Sequence, residues 1–204
     1  MSWAARAQQI VVDGNVLVAL AVAGLVALAG GGGTGLVPEA GTGQVEQVSS
    51  GVAVVPEGQR RPLPAFTGRT LDDREIDLAS LRGRPLVLNF WASWCGPCRA
   101  EQEALELANK ALGGQDVRMI GVNIRDDEGA ASSYLEEFQV GYPSLFDRPA
   151  VLPARLGALG PQAPPYTLVV DAKGRVAARV FGALPGDRPD QQAALLTDLV
   201  ERVT

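Results

Sequence analysis

The stretch Leu86-Val87-Leu88-Asn89-Phe90-Trp91-Ala92-Ser93-Trp94-Cys95-Gly96-Pro97-Cys98 decides how the rest of the chain is read. From Pro85 to Trp91 it is a compact apolar run, the pattern of a strand buried on both faces. Helical spacing comes next: between Cys98 and Leu112, residues Ala104, Leu105, Ala108 and Leu112 fall on one side, and Gly113-Gly114 ends the run. Cys95 and Cys98 thus stand where a buried strand runs into a helix. The first N–H groups of a helix have no intrahelical partner and its dipole end is positive, so a thiolate there is stabilised. The thiolate is the species that attacks a disulfide. Gly96 lets the backbone approach closely, and Pro97 suits a first helical turn because its missing N–H is not needed there. The i, i+3 spacing brings the two Cβ atoms near enough for a disulfide. Cys95, on the exposed end, is expected to attack or receive a partner's sulfur, and Cys98, one turn inside, to resolve the mixed disulfide. Spacing does not fix the direction of electron flow, so a reductase and an oxidant or isomerase both stay open. A tethered scaffold carrying a stable disulfide is the non-enzymatic alternative.

Outward from this segment, Val117–Ile124 reads as a second buried strand, 129–138 as a second helix and Tyr142–Phe146 as a short strand. A Pro-rich loop, 147–164, holds a helical turn near 150–156. Thr167–Asp171 and Arg175–Phe181, joined by Ala-Lys-Gly, read as a hairpin, and Pro189–Val203 as an amphipathic helix whose inner face is Ala193, Leu196, Leu199 and Val200. Before the decisive segment, a turn at 70–73 is flanked by strand-like pieces at 65–67 and 75–78. The order predicts a mixed sheet with helices on both faces.

Residues 1–33 carry an apolar run, Val16 to Ala29, inside an uncharged window from Gly14 to Pro38. A membrane anchor and a cleavable signal segment are the two readings, and both export the C-terminal part of the chain. Arg6 before the run, and no basic residue after it until Arg60, place that part outside the cytoplasm, in a single-pass arrangement. Residues 34–62, rich in Gly, Ser, Gln, Val and Pro, read as a flexible linker, with Gly51–Pro56 able to form an ordered arm. Residues 63–204 are then one domain.

Composition narrows the chemistry. There is no His among the 204 residues, which removes Ser–His, Cys–His and His-ligated metal chemistry. Two Cys alone cannot complete a metal site, so no metal and no cofactor is expected. A net charge of −5 without a basic run speaks against nucleic acid. A purely structural role for so small a disulfide loop would constrain little chain entropy.

Leu86 to Glu101 resembles the active-site segment of the TlpA/ResA-like thiol–disulfide oxidoreductases, a branch of the thioredoxin superfamily, and the similarity runs from about Leu63 to the C-terminus. The resemblance implies a thioredoxin fold with an added N-terminal β-hairpin, a membrane tether, and reduction of disulfides in exported proteins, apocytochrome c among them, with a membrane thiol–disulfide protein as electron donor. It implies Cys95 as nucleophile, Cys98 as resolving thiol, and a redox-active Cys95–Cys98 disulfide supported by Trp94, Gly96 and Pro97. Pro165 matches the cis-proline that faces the disulfide; an ordinary trans proline is the alternative. Asn89 falls where thioredoxin carries a buried acid, or is a core polar residue satisfied by backbone. Glu101 matches a Glu of the family's active-site helix, but a first-turn acid favoured by the helix dipole is the preferred reading. Asp126 falls near a cavity-shaping acid and reads rather as a solvated loop charge. Glu103 stands where thioredoxins kink this helix with a proline. Pro164, before Pro165, offers no N–H to a bound peptide. A peroxidase relative would carry Thr or Ser where this chain has Ala92.

Overall fold

The computed structural model describes residues 46–49 and 51–203. In chain order the strands are β1 (Glu46–Ser49), β2 (Val52–Val54), β3 (Thr67–Arg69), β4 (Glu75–Asp77), β5 (Leu86–Trp91), β6 (Arg118–Ile124), β7 (Ser144–Asp147), β8 (Tyr166–Val170) and β9 (Val176–Phe181). The helices are α1 (Gly96–Gly113), α2 (Glu128–Glu137), α3 (Val151–Leu156) and α4 (Pro189–Val203). One seven-stranded sheet runs β1-β2-β9-β8-β5-β6-β7, and β3 with β4 forms a separate hairpin. β5, β6 and β7 are parallel, while β8, β9, β2 and β1 are added antiparallel.

β5 lies inside the sheet with all six residues buried, as its apolar run requires. Its side chains alternate between two cores. Val87 joins Ala104, Leu105 and Ala108 of α1 and Leu196, Leu199 and Val200 of α4. Leu88 and Phe90 pack on the other face with Leu152 of α3 and with Phe66 and Leu78 beside the β3–β4 hairpin. Fully burying one such side chain contributes about 2–3 kcal/mol. Tyr134 of α2 joins the α1 side, its ring 4.4 Å from that of Trp91. Gly121 of β6 is opposite Asn89. A Cβ there would meet Ser144 Oγ at 2.6 Å and Trp91 Nε1 at 2.8 Å, so only glycine leaves room for the Trp91 to Ser144 hydrogen bond of 2.8 Å.

The mixed sheet, the helices on both faces and the β3–β4 hairpin agree with the sequence reading. The linker does not. Within 34–62, read as a flexible linker apart from an arm allowed at Gly51–Pro56, the chain builds β1, β2 (inside that arm) and a bridge from Pro62 to Arg175, so the folded part begins well before Leu63. The reason is a free edge. β9 presents unpaired backbone groups, and Val52–Val54 satisfies them while burying Val52 and Ala53. Among the described residues no helix is long and apolar enough to cross a membrane. The anchor or signal segment, 1–33, lies outside the described residues.

Candidate active site

α1 begins where β5 ends, after a four-residue turn. Cys95 is the residue that caps it, and its Sγ accepts the Cys98 N–H at 3.2 Å. Gly96 and Pro97 fill the first turn. Cys95 and Cys98 are joined, with Cα atoms 5.3 Å apart. The sequence reading puts Cys95 on an exposed end, but it is only 3% exposed and Cys98 1%. Trp91, Ala92, Ala131 and Tyr134 share a small apolar cluster with the two cysteines. The accessible surface of the motif is instead Trp94, 59% exposed, with Gly96 and Pro97. Of the two cysteines, Cys95 is still the outer one.

The Pro164–Pro165 peptide is cis. Pro165 is buried directly before Tyr166, and Tyr166 pairs with Phe90, so Pro165 sits at the end of β5 that leads to the disulfide. α1 runs unbroken through Glu103, which is exposed; the proline kink of thioredoxins is absent.

Two acids correct the sequence reading. Glu101 is not a surface acid of the first turn but is buried at 1% exposure. Its Oε1 accepts from Asn89 Nδ2 at 3.1 Å and its Oε2 from the Leu184 N–H at 2.9 Å. Burial pushes its carboxyl up to about 7, against these two donors, which pull it down. Asn89, also buried, gives its second N–H to Thr167 Oγ1 at 3.1 Å, and its Oδ1 has no partner. The Asn89 N–H groups are thus taken by side chains rather than by backbone, and its Oδ1 is left unpaired. The spacing Cys98, Glu101, Leu105, Ala108, Leu112 is the i, i+3, i+7 stripe of one helix face, and this signal could have placed Glu101 inside.

Asp126 is not a solvated loop charge. It is 5% exposed and takes the Ser93 N–H at 2.5 Å, Ser93 Oγ at 2.8 Å, Asn123 Nδ2 at 2.8 Å and the Asp127 N–H at 2.9 Å. Burial alone would raise its carboxyl, but the donors outweigh it and hold it below the usual range. Asp126 thereby pins the turn that carries Cys95. Trp94 Nε1 adds a bond of 3.0 Å to the Arg125 carbonyl. On the inner side, the Tyr134 hydroxyl donates to the Cys98 carbonyl at 3.1 Å. Arg99, ion-paired with Glu137, covers the Phe138 ring at 4.8 Å. The sequence reading assigns a supporting role to neither Asp126 nor Tyr134.

A strand-to-helix turn with a capping thiol, a second thiol one turn inside and a cis-proline alongside define a thioredoxin-fold protein of thiol–disulfide exchange. The chain belongs to the Redoxin family, whose model matches residues 57–195. It is 39% identical over 141 residues to the thiol:disulfide interchange protein DsbE of Yersinia pestis, covering 66% of this chain and 70% of that one. It is 26% identical over 137 residues to the thiol-disulfide oxidoreductase ResA of Bacillus subtilis, covering 67% and 74%. The solved structure of a DsbF homologue from Corynebacterium diphtheriae superposes with a TM-score of 0.67 at 28% identity, over 79% of this chain and 99% of that one. The resemblance to TlpA/ResA-like oxidoreductases stands, and the chain is a thiol–disulfide oxidoreductase with a Cys95–Cys98 redox pair.

Proposed function

We propose that this domain works outside the cytoplasm, held there or exported by its N-terminal apolar run, and reduces disulfides in exported proteins, apocytochrome c among them. The observation that carries the reading is Cys95 Sγ at the mouth of α1, bonded to the Cys98 N–H at 3.2 Å. That contact, with the helix dipole, favours a thiolate once the pair is reduced.

The cycle starts from the dithiol. Cys95 thiolate attacks one sulfur of the partner's disulfide; that S–S bond breaks and the other partner sulfur leaves as a thiolate, which takes a proton. Cys98 then loses its proton and attacks Cys95 Sγ, releasing the partner's second thiolate and closing the Cys95–Cys98 bond. The partner gains two electrons and the protein loses two. A membrane thiol–disulfide protein returns them. Glu101, one turn beyond Cys98 and with its carboxyl near 7, is suited to hold the Cys98 proton, and Asn89 orients Glu101. Trp94, Gly96 and Pro97 present the surface met by the partner, and Pro165 borders it.

Cys98→Ser is expected to accumulate disulfide-linked partners in cells, while Cys95→Ser accumulates none; absence of adducts from Cys98→Ser removes the reading. The reduction potential then fixes the direction. A value near that of thioredoxin, about −270 mV, supports a reductase, and one above about −150 mV makes the protein an oxidant.

A further inference from the structure

Arg125 is the last residue before the buried Asp126, and its backbone adopts a left-handed φ of 53°. It joins three loops. Its carbonyl accepts the Trp94 indole N–H at 3.0 Å, its N–H donates to the Arg148 carbonyl at 3.2 Å, and its Nη1 donates to the Gln162 carbonyl at 3.0 Å. Gln162 lies three residues before the cis-proline. Arg125 therefore stands between the turn that carries Cys95 and the loop that ends at Pro165.

The same side chain lines a groove of about 460 Å³, whose walls include Pro149, Pro153, Ala154, Pro161 and Gln162. This groove has unusual chemistry for a peptide site. Prolines have no N–H, and three of them line it, with Pro164 and Pro165 just beyond. Its walls therefore cannot donate at those positions to an extended chain, as a sheet edge would. Besides the neutral Gln162 side-chain amide, the charged donor in the lining is Arg125. It is exposed, makes no ion pair among the described residues, and uses one of five N–H donors on Gln162. No acid lines the groove. A proline-rich trough with one guanidinium free of any ion pair complements an extended segment that carries a carboxylate, which a guanidinium takes in two parallel hydrogen bonds.

We propose that this groove docks the disulfide-bearing partner and selects an acidic side chain within a few residues of the cysteine that Cys95 attacks, the carboxylate being taken by Arg125. The inference rests on the exchange reading of the Cys95–Cys98 pair and names a feature of its substrate. The closeness in sequence comes from Trp94, next to Cys95, being bonded to Arg125 itself.

The test uses the full reduced chain and three synthetic peptides, each with one disulfide, identical except for Asp, Ala or Lys two residues from one cysteine. At low salt the Asp peptide is expected to be reduced with a kcat/KM about tenfold above that of the Lys peptide, the gap shrinking as salt screens the pair. Arg125→Gln should bring the Asp-to-Lys ratio close to one, and Arg125→Lys should keep part of it. A damaged loop would slow all three peptides together and leave the ratio standing, so the ratio separates recognition from structure. Equal rates for the Asp and Lys peptides in the parent, or a ratio that survives Arg125→Gln, overturns the proposal. Reduction of none of the three peptides by the parent removes the exchange reading itself, and the proposal with it.

Discussion

The two sides of the Cys95 turn hold acids that burial pushes in the same direction and that hydrogen bonding and depth carry to opposite outcomes. Inside, Glu101 faces two donors and its carboxyl rises to about 7. Outside, Asp126 collects four donors and its carboxyl falls below the usual range. Removal from water disfavours either charge, more so for the deeper Glu101; depth and the number of N–H and O–H groups aimed at the carboxylate together decide the outcome. The outer acid is a fixed charge that holds the loop. The inner acid is able to exchange a proton near neutral pH, one turn along α1 from the thiol that must lose one. The proposed cycle, which attacks on one side and moves a proton on the other, uses both.

The largest break of this contrast is Asp126→Ala. It strands the Ser93 and Asp127 N–H groups and the Asn123 amide, and should cost about 3–5 kcal/mol in denaturant unfolding. The parent's acid side obeys the same logic. A carboxyl lowered by folding contributes stability that is present above its ordinary value of 3.8 and is lost as pH falls through its lower folded value. Denaturant midpoints between pH 5 and pH 2 in the parent should therefore decline more steeply than in Asp126→Ala.

Glu101→Gln is the next test, with the opposite sign. A carboxyl raised from 4.5 to about 7 binds more protons in the folded state, so stability falls as pH rises through that window and levels off above it. The loss amounts to about 3 kcal/mol at roughly 1.4 kcal/mol per pH unit. Glu101→Gln should flatten the profile between pH 5 and pH 8 and be the more stable protein at pH 8. Its second-step rate, the release of the partner from the mixed disulfide, should lose its pH dependence near neutrality. A mutant profile that still falls between pH 5 and pH 8 would return Glu101 to a purely structural place.

The mildest perturbation is Ser93→Ala, which removes one of the four donors at Asp126. It should cost about 1 kcal/mol and move the acid limb of the stability curve to higher pH. An unchanged limb would mean that the Ser93 and Asp127 N–H groups and the Asn123 amide alone set the Asp126 charge.

How much of this is legible in the sequence depends on where each signal resides. β5, β6, α1, α4 and the β8–β9 hairpin are written in local apolar patterns, and the cysteines, Gly96 and Pro97 in one five-residue motif. β1 and β2 are four and three residues long, in a segment rich in Gly, Ser and Gln, and they exist as strands because β9 offers an edge to β2 and β2 offers one to β1. Local composition could not show that. The acids were hidden for a similar reason. Leu184 is 83 residues from Glu101, and Ser93 is 33 from Asp126. A charge's burial is decided by donors that arrive from far along the chain. Only Glu101 left a local trace, its place on the buried stripe of α1.

Thiol–disulfide exchange here requires that the outer sulfur become a reachable thiolate when the pair opens. Brief alkylation of the reduced full chain at pH 7, with the modified cysteine mapped by mass spectrometry, tests it directly. Modification of Cys95 with Cys98 spared is the predicted result. Modification of Cys98 first, or of neither residue until the chain is unfolded, would contradict it.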